Sequence, residues 1–123
     1  MYTTDGGTAG RNSNMIPITT LLHDHGADLM VSAKDKVYER FLPVNPVDGT
    51  LDANKGLVQF IVGTGGRGFD RADDSTAVAV RGSIIKNTWG VLKLTLADNS
   101  YSYEFIPTSA TTRSDKGGPV ACH

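Results

Sequence analysis

The chain of 123 residues lacks several of the features that define whole classes of protein. Its single cysteine, Cys122, excludes an internal disulfide framework and a metal site built from several cysteines. No apolar run approaches the roughly 18 residues of a membrane-spanning helix, and the N-terminus carries no signal-peptide pattern. Twelve basic and thirteen acidic residues leave a net charge of −1, which gives no electrostatic signal for nucleic acid or an acidic membrane. With these classes excluded, the composition indicates a small globular domain.

The hydrophobic pattern predicts one short helix and about five strands. Apolar residues recur every three or four positions over roughly 15–25, with Pro17 near the start and Gly26 after the end, which is typical of an amphipathic helix. Four of these strands are visible as strand-length apolar or alternating runs, at 27–32, 57–62, 89–96 and 101–106. A turn signal separates the last two runs and predicts an antiparallel hairpin. The sequence therefore predicts an α+β fold, with the helix packed on a mostly antiparallel sheet.

Two long loops, at 43–56 and 63–74, connect these elements. The second contains Gly63, Gly65 and Gly68 in the spacing G-x-G-x-x-G, but no helix start follows, so we interpret it as a turn rather than a dinucleotide site. The same loop carries an acidic cluster of Asp70, Asp73 and Asp74, with Arg67 and Arg71 beside it. Its spacing does not match an EF-hand, which favours a solvated loop over a Ca²⁺ site.

Two histidines, His23 and His25, lie near the predicted end of the helix. Residues two apart on a regular helix point about 200° apart, so they cannot share a metal there. At a frayed helix end the two side chains can reach the same ion, so a divalent metal held by His23 and His25 is one hypothesis. The other is that both residues cap the helix and interact with its dipole.

The segment Lys34-Asp35-Lys36 directly follows a predicted buried strand. Ligand sites in sheet proteins favour the carboxyl ends of strands, and two ammonium groups beside a carboxylate can bind an anion such as phosphate. The alternative is a pair of surface lysines with ordinary ion pairs. Both interpretations stay open from the residues alone.

Several stretches resemble, in order and spacing, the C-terminal half of bacterial calcineurin-like metallophosphoesterases, the exported branch akin to purple acid phosphatases and alkaline phosphatase D-like enzymes. They read GADLMVSAKDKVYERF, LVQFIVGTGG, WGVLKLTL and YSYEFIP, and the resemblance covers the chain from about Asn12 to His123. It implies half of the family's β-sandwich, a half-domain over 15–107 between a flexible arm at 1–14 and a polar tail at 108–123. A half-sandwich exposes an apolar sheet face, which predicts a homo-oligomer.

The family's Gly-His-Asp-His metal motif reads Ala33-Lys34-Asp35-Lys36 here, and the family's upstream metal motifs do not occur in the sequence. An ammonium group has no lone pair for a metal at neutral pH. The resemblance therefore implies a truncated phosphoesterase-like protein with a degenerate or rebuilt site.

Two functions follow from that resemblance. In the first, the chain hydrolyses a phosphate ester or another small anion, with Lys34 and Lys36 stabilising charge. Asp35 acts as base or orients the substrate, and His23 or His25 acts as general base. In the second, it is a non-catalytic binding or assembly remnant of the fold.

Overall fold

The structure, a computed structural model, describes residues 2–3, 10–70 and 79–123. Within these residues lie nine strands, one α-helix and a preceding 3₁₀ turn at Ser13–Met15. The elements are β1 (Tyr2–Thr3), β2 (Gly10–Arg11), α1 (Ile16–Asp24), β3 (Leu29–Ser32), β4 (Tyr38–Phe41), β5 (Val58–Val62), β6 (Arg81–Ile85), β7 (Gly90–Ala97), β8 (Ser100–Pro107) and β9 (Asp115–Ala121).

The strands form sheets of two, four and three strands. β1 pairs with β2, the four-stranded sheet has the order β3-β5-β4-β6, and the three-stranded sheet has the order β7-β8-β9. β3 and β5 run parallel, whereas the other paired strands are antiparallel. The predicted α+β fold with one short helix is confirmed, and its larger strands are divided between two sheets. No helix among the described residues is long and apolar enough to cross a membrane.

The inner faces of the two larger sheets pack against each other through aromatic rings. Phe105 of β8 is fully buried and stacks on Tyr38 of β4, with 4.2 Å between the ring centroids. Beside them, Phe60 of β5 meets the Tyr103 ring edge-on at 5.1 Å. The chain itself thus covers this face of the four-stranded sheet, and self-association stays a prediction.

The opposite face of the four-stranded sheet has its own core, which includes Tyr2. The Tyr2 ring stacks on Phe41 at 5.0 Å, and its backbone N–H donates to Gln59 Oε1 at 2.8 Å. In addition, Gln59 Nε2 donates a hydrogen bond to the Tyr2 carbonyl oxygen. Tyr2 therefore packs into the core, although it lies in the segment predicted as a flexible arm. The other buried members of this core are Val37, Val44, Ile61 and Val80.

The segment predicted as a polar tail contributes β9, which continues the sheet beyond β8. Its first residue, Asp115, accepts hydrogen bonds from Arg40 Nε at 2.8 Å, Arg40 Nη2 at 3.2 Å and the Tyr38 hydroxyl at 2.7 Å. Arg40 also lies over the Tyr103 ring. These contacts tie β9 to the four-stranded sheet through a half-buried charged network.

This network makes stability depend on the charge of Asp115. Burial alone raises the pKa of Asp115, but hydrogen bonds from Arg40 and Tyr38 outweigh it and hold the pKa below its ordinary value. A carboxyl group with a lowered folded-state pKa stabilises the fold above its unfolded pKa of about 3.9, and it loses that contribution as the pH falls through the folded-state pKa.

We expect Asp115→Asn to lower the free energy of unfolding by about 1–3 kcal/mol at pH 7, because bonds to a charged acceptor are lost. The deficit should shrink as the pH falls below about 4, where the wild-type carboxylate becomes protonated. Urea unfolding of both proteins at several pH values measures this. Asp98→Asn, exposed in the β7–β8 turn, is the control. A deficit that stays constant with pH contradicts the role of the charge.

Candidate functional site

The turn between β3 and β4, residues 33–37 (the lysine turn), lies at the carboxyl end of β3. Because β5 runs parallel to β3, the end of β5 reaches the same edge of the sheet. Gly63, directly after β5, donates its N–H to the Val37 carbonyl oxygen at 3.2 Å. A Cβ at position 63 would collide with the backbone oxygen of Asp35. Glycine at this position therefore lets the two chain segments meet.

Asp35 and Lys34 point to different environments within the lysine turn. Asp35 has a φ of 63°, a left-handed conformation that aspartate tolerates better than most residues. Its side chain is 1% exposed, whereas the Lys34 side chain is 64% exposed. The Lys34 Nζ lies 3.7 Å from Asp35 Oδ1. The turn thus buries the carboxylate and presents the ammonium group to solvent.

Lys36 is held by Asp70, from the loop that follows β5. The Lys36 backbone N–H donates to Asp70 Oδ2 at 2.6 Å, and Lys36 Nζ lies 2.5 Å from Oδ1. Hydrogen bonds from the side chain and backbone of Lys36 lower the pKa of Asp70. Asp70 therefore keeps its negative charge at neutral pH and fixes the position of Lys36. Asp73, Asp74 and Arg71 of the predicted acidic cluster lie outside the described residues.

The two candidate histidines lie at the opposite end of β3. His25 Nδ1 is 2.9 Å from the Leu21 carbonyl oxygen, a contact that closes the end of α1. His23 contacts Asp24 at 3.3 Å and lies 4.0 Å from Asp52. At roughly 3.3 Å per residue, the four residues of β3 separate these histidines from the lysine turn by on the order of 13 Å. The structure does not bring His25 together with the lysine turn.

The lysine turn does not fit a divalent metal. Its two outward positions carry ammonium groups, which repel a dication and donate no lone pair. Among residues 2–3, 10–70 and 79–123, no group of three or more His, Cys, Asp or Glu side chains is arranged to hold a metal ion. The contacts of His23 and His25 fit helix capping, and a metal bound by them stays a prediction.

Sequence reasoning missed an exposed aromatic pair beside the lysine turn. The rings of Phe69 and Trp89 lie 5.3 Å apart, and the two residues are 38% and 45% exposed. Two hydrogen bonds between Thr64 and Gly90 bring the start of β7 against the loop after β5. Phe69 and Trp89 are 20 positions apart, so local patterns gave no signal that they meet.

Comparisons with known proteins add no identification. No protein-family model matches the chain, and searches of curated proteins and of solved structures find no match. The metallophosphoesterase resemblance therefore stays a prediction from sequence, and the geometry of the described residues carries the functional argument.

Proposed function

We propose that the chain binds a small oxyanion, a phosphate ester, at the lysine turn and does not hydrolyse it. The observation that carries the proposal is that one turn holds both Lys34, whose side chain is 64% exposed, and Lys36, whose position Asp70 fixes. Asp70 holds Lys36 in place, so less conformational freedom is lost when an anion contacts both lysines. The sequence resemblance to phosphoesterases supports a phosphate ester as the ligand class.

The same geometry disfavours catalysis. A general base must come within about 3 Å of the proton that it removes, directly or through one water. Asp35 is buried beneath the turn, and His25 lies at the other end of β3. Among the described residues, the carboxylates nearest the two lysines are Asp35 and Asp70, and both are already paired with those lysines, which favours binding over turnover. We expect weak affinity, about 1 mM, because solvent screens an exposed ion pair.

Lys34→Ala is expected to weaken binding of glycerol phosphate about three- to tenfold, since one charge-assisted contact is lost. Amide NMR shifts give both the affinity and the location, and we expect the largest shifts at residues 33–37. Lys34→Arg should retain binding. Lys55→Ala, which removes an exposed lysine from the loop before β5, is the matched control and should bind normally. Equal affinity of Lys34→Ala and wild type contradicts the assignment.

Hydrolysis is tested separately with a chromogenic phosphate diester, with added Mn²⁺ and with excess chelator. We expect no turnover above the rate without protein in either condition. Turnover that disappears in Lys34→Ala would instead establish a hydrolase at the lysine turn and overturn the non-catalytic proposal.

A further inference from the structure

The exposed aromatic pair extends into an apolar surface on the outer side of the three-stranded sheet. Phe69 and Trp89 (the aromatic platform) tilt by 32° to each other. Val91 and Ile106, paired across β7 and β8, are 61% and 43% exposed. Large apolar side chains clustered on a surface mark a contact with a ligand or partner more often than isolated ones do.

A shallow, open groove lies beside Trp89, one of the two residues of the aromatic platform. Its volume is about 300 Å³, at the lower end of the range for small-molecule sites. A Cβ at Gly65 or Gly66 would meet no atom within 4 Å, so one wall of the groove is open backbone. The groove is lined by Thr64, Gly65, Gly66, Trp89, Gly90, Val91 and Thr108.

The groove and the lysine turn share one loop. Phe69 of the platform directly precedes Asp70, whose carboxylate holds Lys36. Thr64, in the groove, directly follows Gly63, which packs under the lysine turn. The exposed Lys34 and the Asp70-paired Lys36 therefore lie on chain segments next to a stacking surface for a flat apolar group.

We propose that the lysine turn and the aromatic platform bind one ligand, a phosphate ester of an aromatic alcohol. The phosphate contacts Lys34 and Lys36, and the aromatic ring packs against Trp89. This inference rests on the proposed function and deepens it by naming the organic half of the ligand. A small ligand fits better than a protein partner because the groove volume is at the lower end of the range for small-molecule sites, and Thr64 in the groove directly follows Gly63, which bonds to the lysine turn.

Trp89 is the only tryptophan of the chain, so its indole N–H gives one NMR signal that reports on the platform without further assignment. Phenyl phosphate is expected to shift this signal and the amides of the lysine turn with the same dissociation constant. It should bind about fivefold more tightly than glycerol phosphate, because ring stacking adds to the phosphate contacts. Phenol at the same concentrations should leave the lysine-turn amides unmoved.

Trp89→Ala should reduce phenyl phosphate affinity to that of glycerol phosphate and leave glycerol phosphate binding unchanged. Phe69→Leu, which removes a ring and keeps the bulk, provides a second variant if Trp89→Ala does not fold. Leu51→Ala, at an exposed residue outside the groove, is the control and should bind both phosphates as wild type does.

The outcomes separate the two proposals. Equal affinity for both phosphates with an unmoved indole signal overturns the shared site and leaves phosphate binding at the lysine turn intact. Binding of neither phosphate overturns both. The indole signal can also shift when only the protein concentration is raised, with no further shift on adding phenyl phosphate. That result makes the platform a contact between copies of the chain and also overturns the inference.

Discussion

Phe105→Ala is expected to lower the free energy of unfolding by about 3–5 kcal/mol, the usual cost of truncating a buried phenylalanine. Phe105 is fully buried and stacks on Tyr38 across the two larger sheets. Gly90 packs against the same ring, since a Cβ there would lie 2.5 Å from Phe105 Cζ. Backbone this close to the ring leaves little room for other side chains to fill the cavity, which places the expected loss toward the upper end of the range.

Urea unfolding monitored by far-ultraviolet circular dichroism measures this loss. Phe69→Ala is the matched control, because it makes the same chemical change at a residue that is 38% exposed and should cost less than half as much. Equal losses in the two variants would show that the Phe105–Tyr38 contact does not hold the sheets together. If the free energy of unfolding of a variant falls with urea at a different slope, its unfolded or native ensemble has changed. The variants are then compared by the urea concentration at the unfolding midpoint.

The hairpin of the three-stranded sheet could be predicted from sequence, but its packing against the four-stranded sheet could not. Alternation over 89–96 and 101–106 is a local signal, and it places Tyr103 and Phe105 on one face of the sheet. That Phe105 meets Tyr38, 67 positions earlier, depends on how the sheets pack and leaves no local pattern. β9 could not be predicted from a local pattern either, because it contains Gly117, Gly118 and Pro119, which disfavour strands. Its pairing with β8 overrides that local preference.

Part of the candidate site could likewise be predicted from sequence and part could not. The position of Lys34 and Lys36 at the end of β3 follows from a short apolar run and was predictable. The contact of Lys36 with Asp70 spans 34 positions and was not. His25 is nine positions from Lys34 in sequence, yet the intervening strand places it at the other end of the sheet. The role of His25 as a general base stays a prediction, and the fold places it away from the lysine turn.

The stretch YERF, part of the sequence resemblance, consists of four residues with identified structural contacts. Tyr38 stacks on Phe105, Arg40 binds Asp115, and Phe41 stacks on Tyr2. Glu39, fully buried, lies with Oε1 3.0 Å from Arg81 Nε of β6. These contacts account for the four residues through folding alone, so the stretch itself gives no separate support for catalysis.

Arg81→Met is expected to lower the free energy of unfolding by about 3 kcal/mol, because it removes the guanidinium beside the buried carboxylate of Glu39. The Arg81 side chain is itself only 10% exposed, so solvent screens the pair weakly. Arg113→Met is the control. Arg113 is exposed and donates to the Ile84 carbonyl oxygen, and its loss should cost about 1 kcal/mol or less.

The double variant Glu39→Leu with Arg81→Met tests the electrostatic cause. Replacing both members of a buried ion pair by apolar groups is often neutral, whereas removing one member leaves a charge in a poorly solvated place. We therefore expect the double variant to be more stable than Arg81→Met alone, by about 1–3 kcal/mol. If its stability is lower, the loss in Arg81→Met comes from packing of the arginine side chain rather than from its charge. Glu39 then has to be stabilised by contacts other than Arg81.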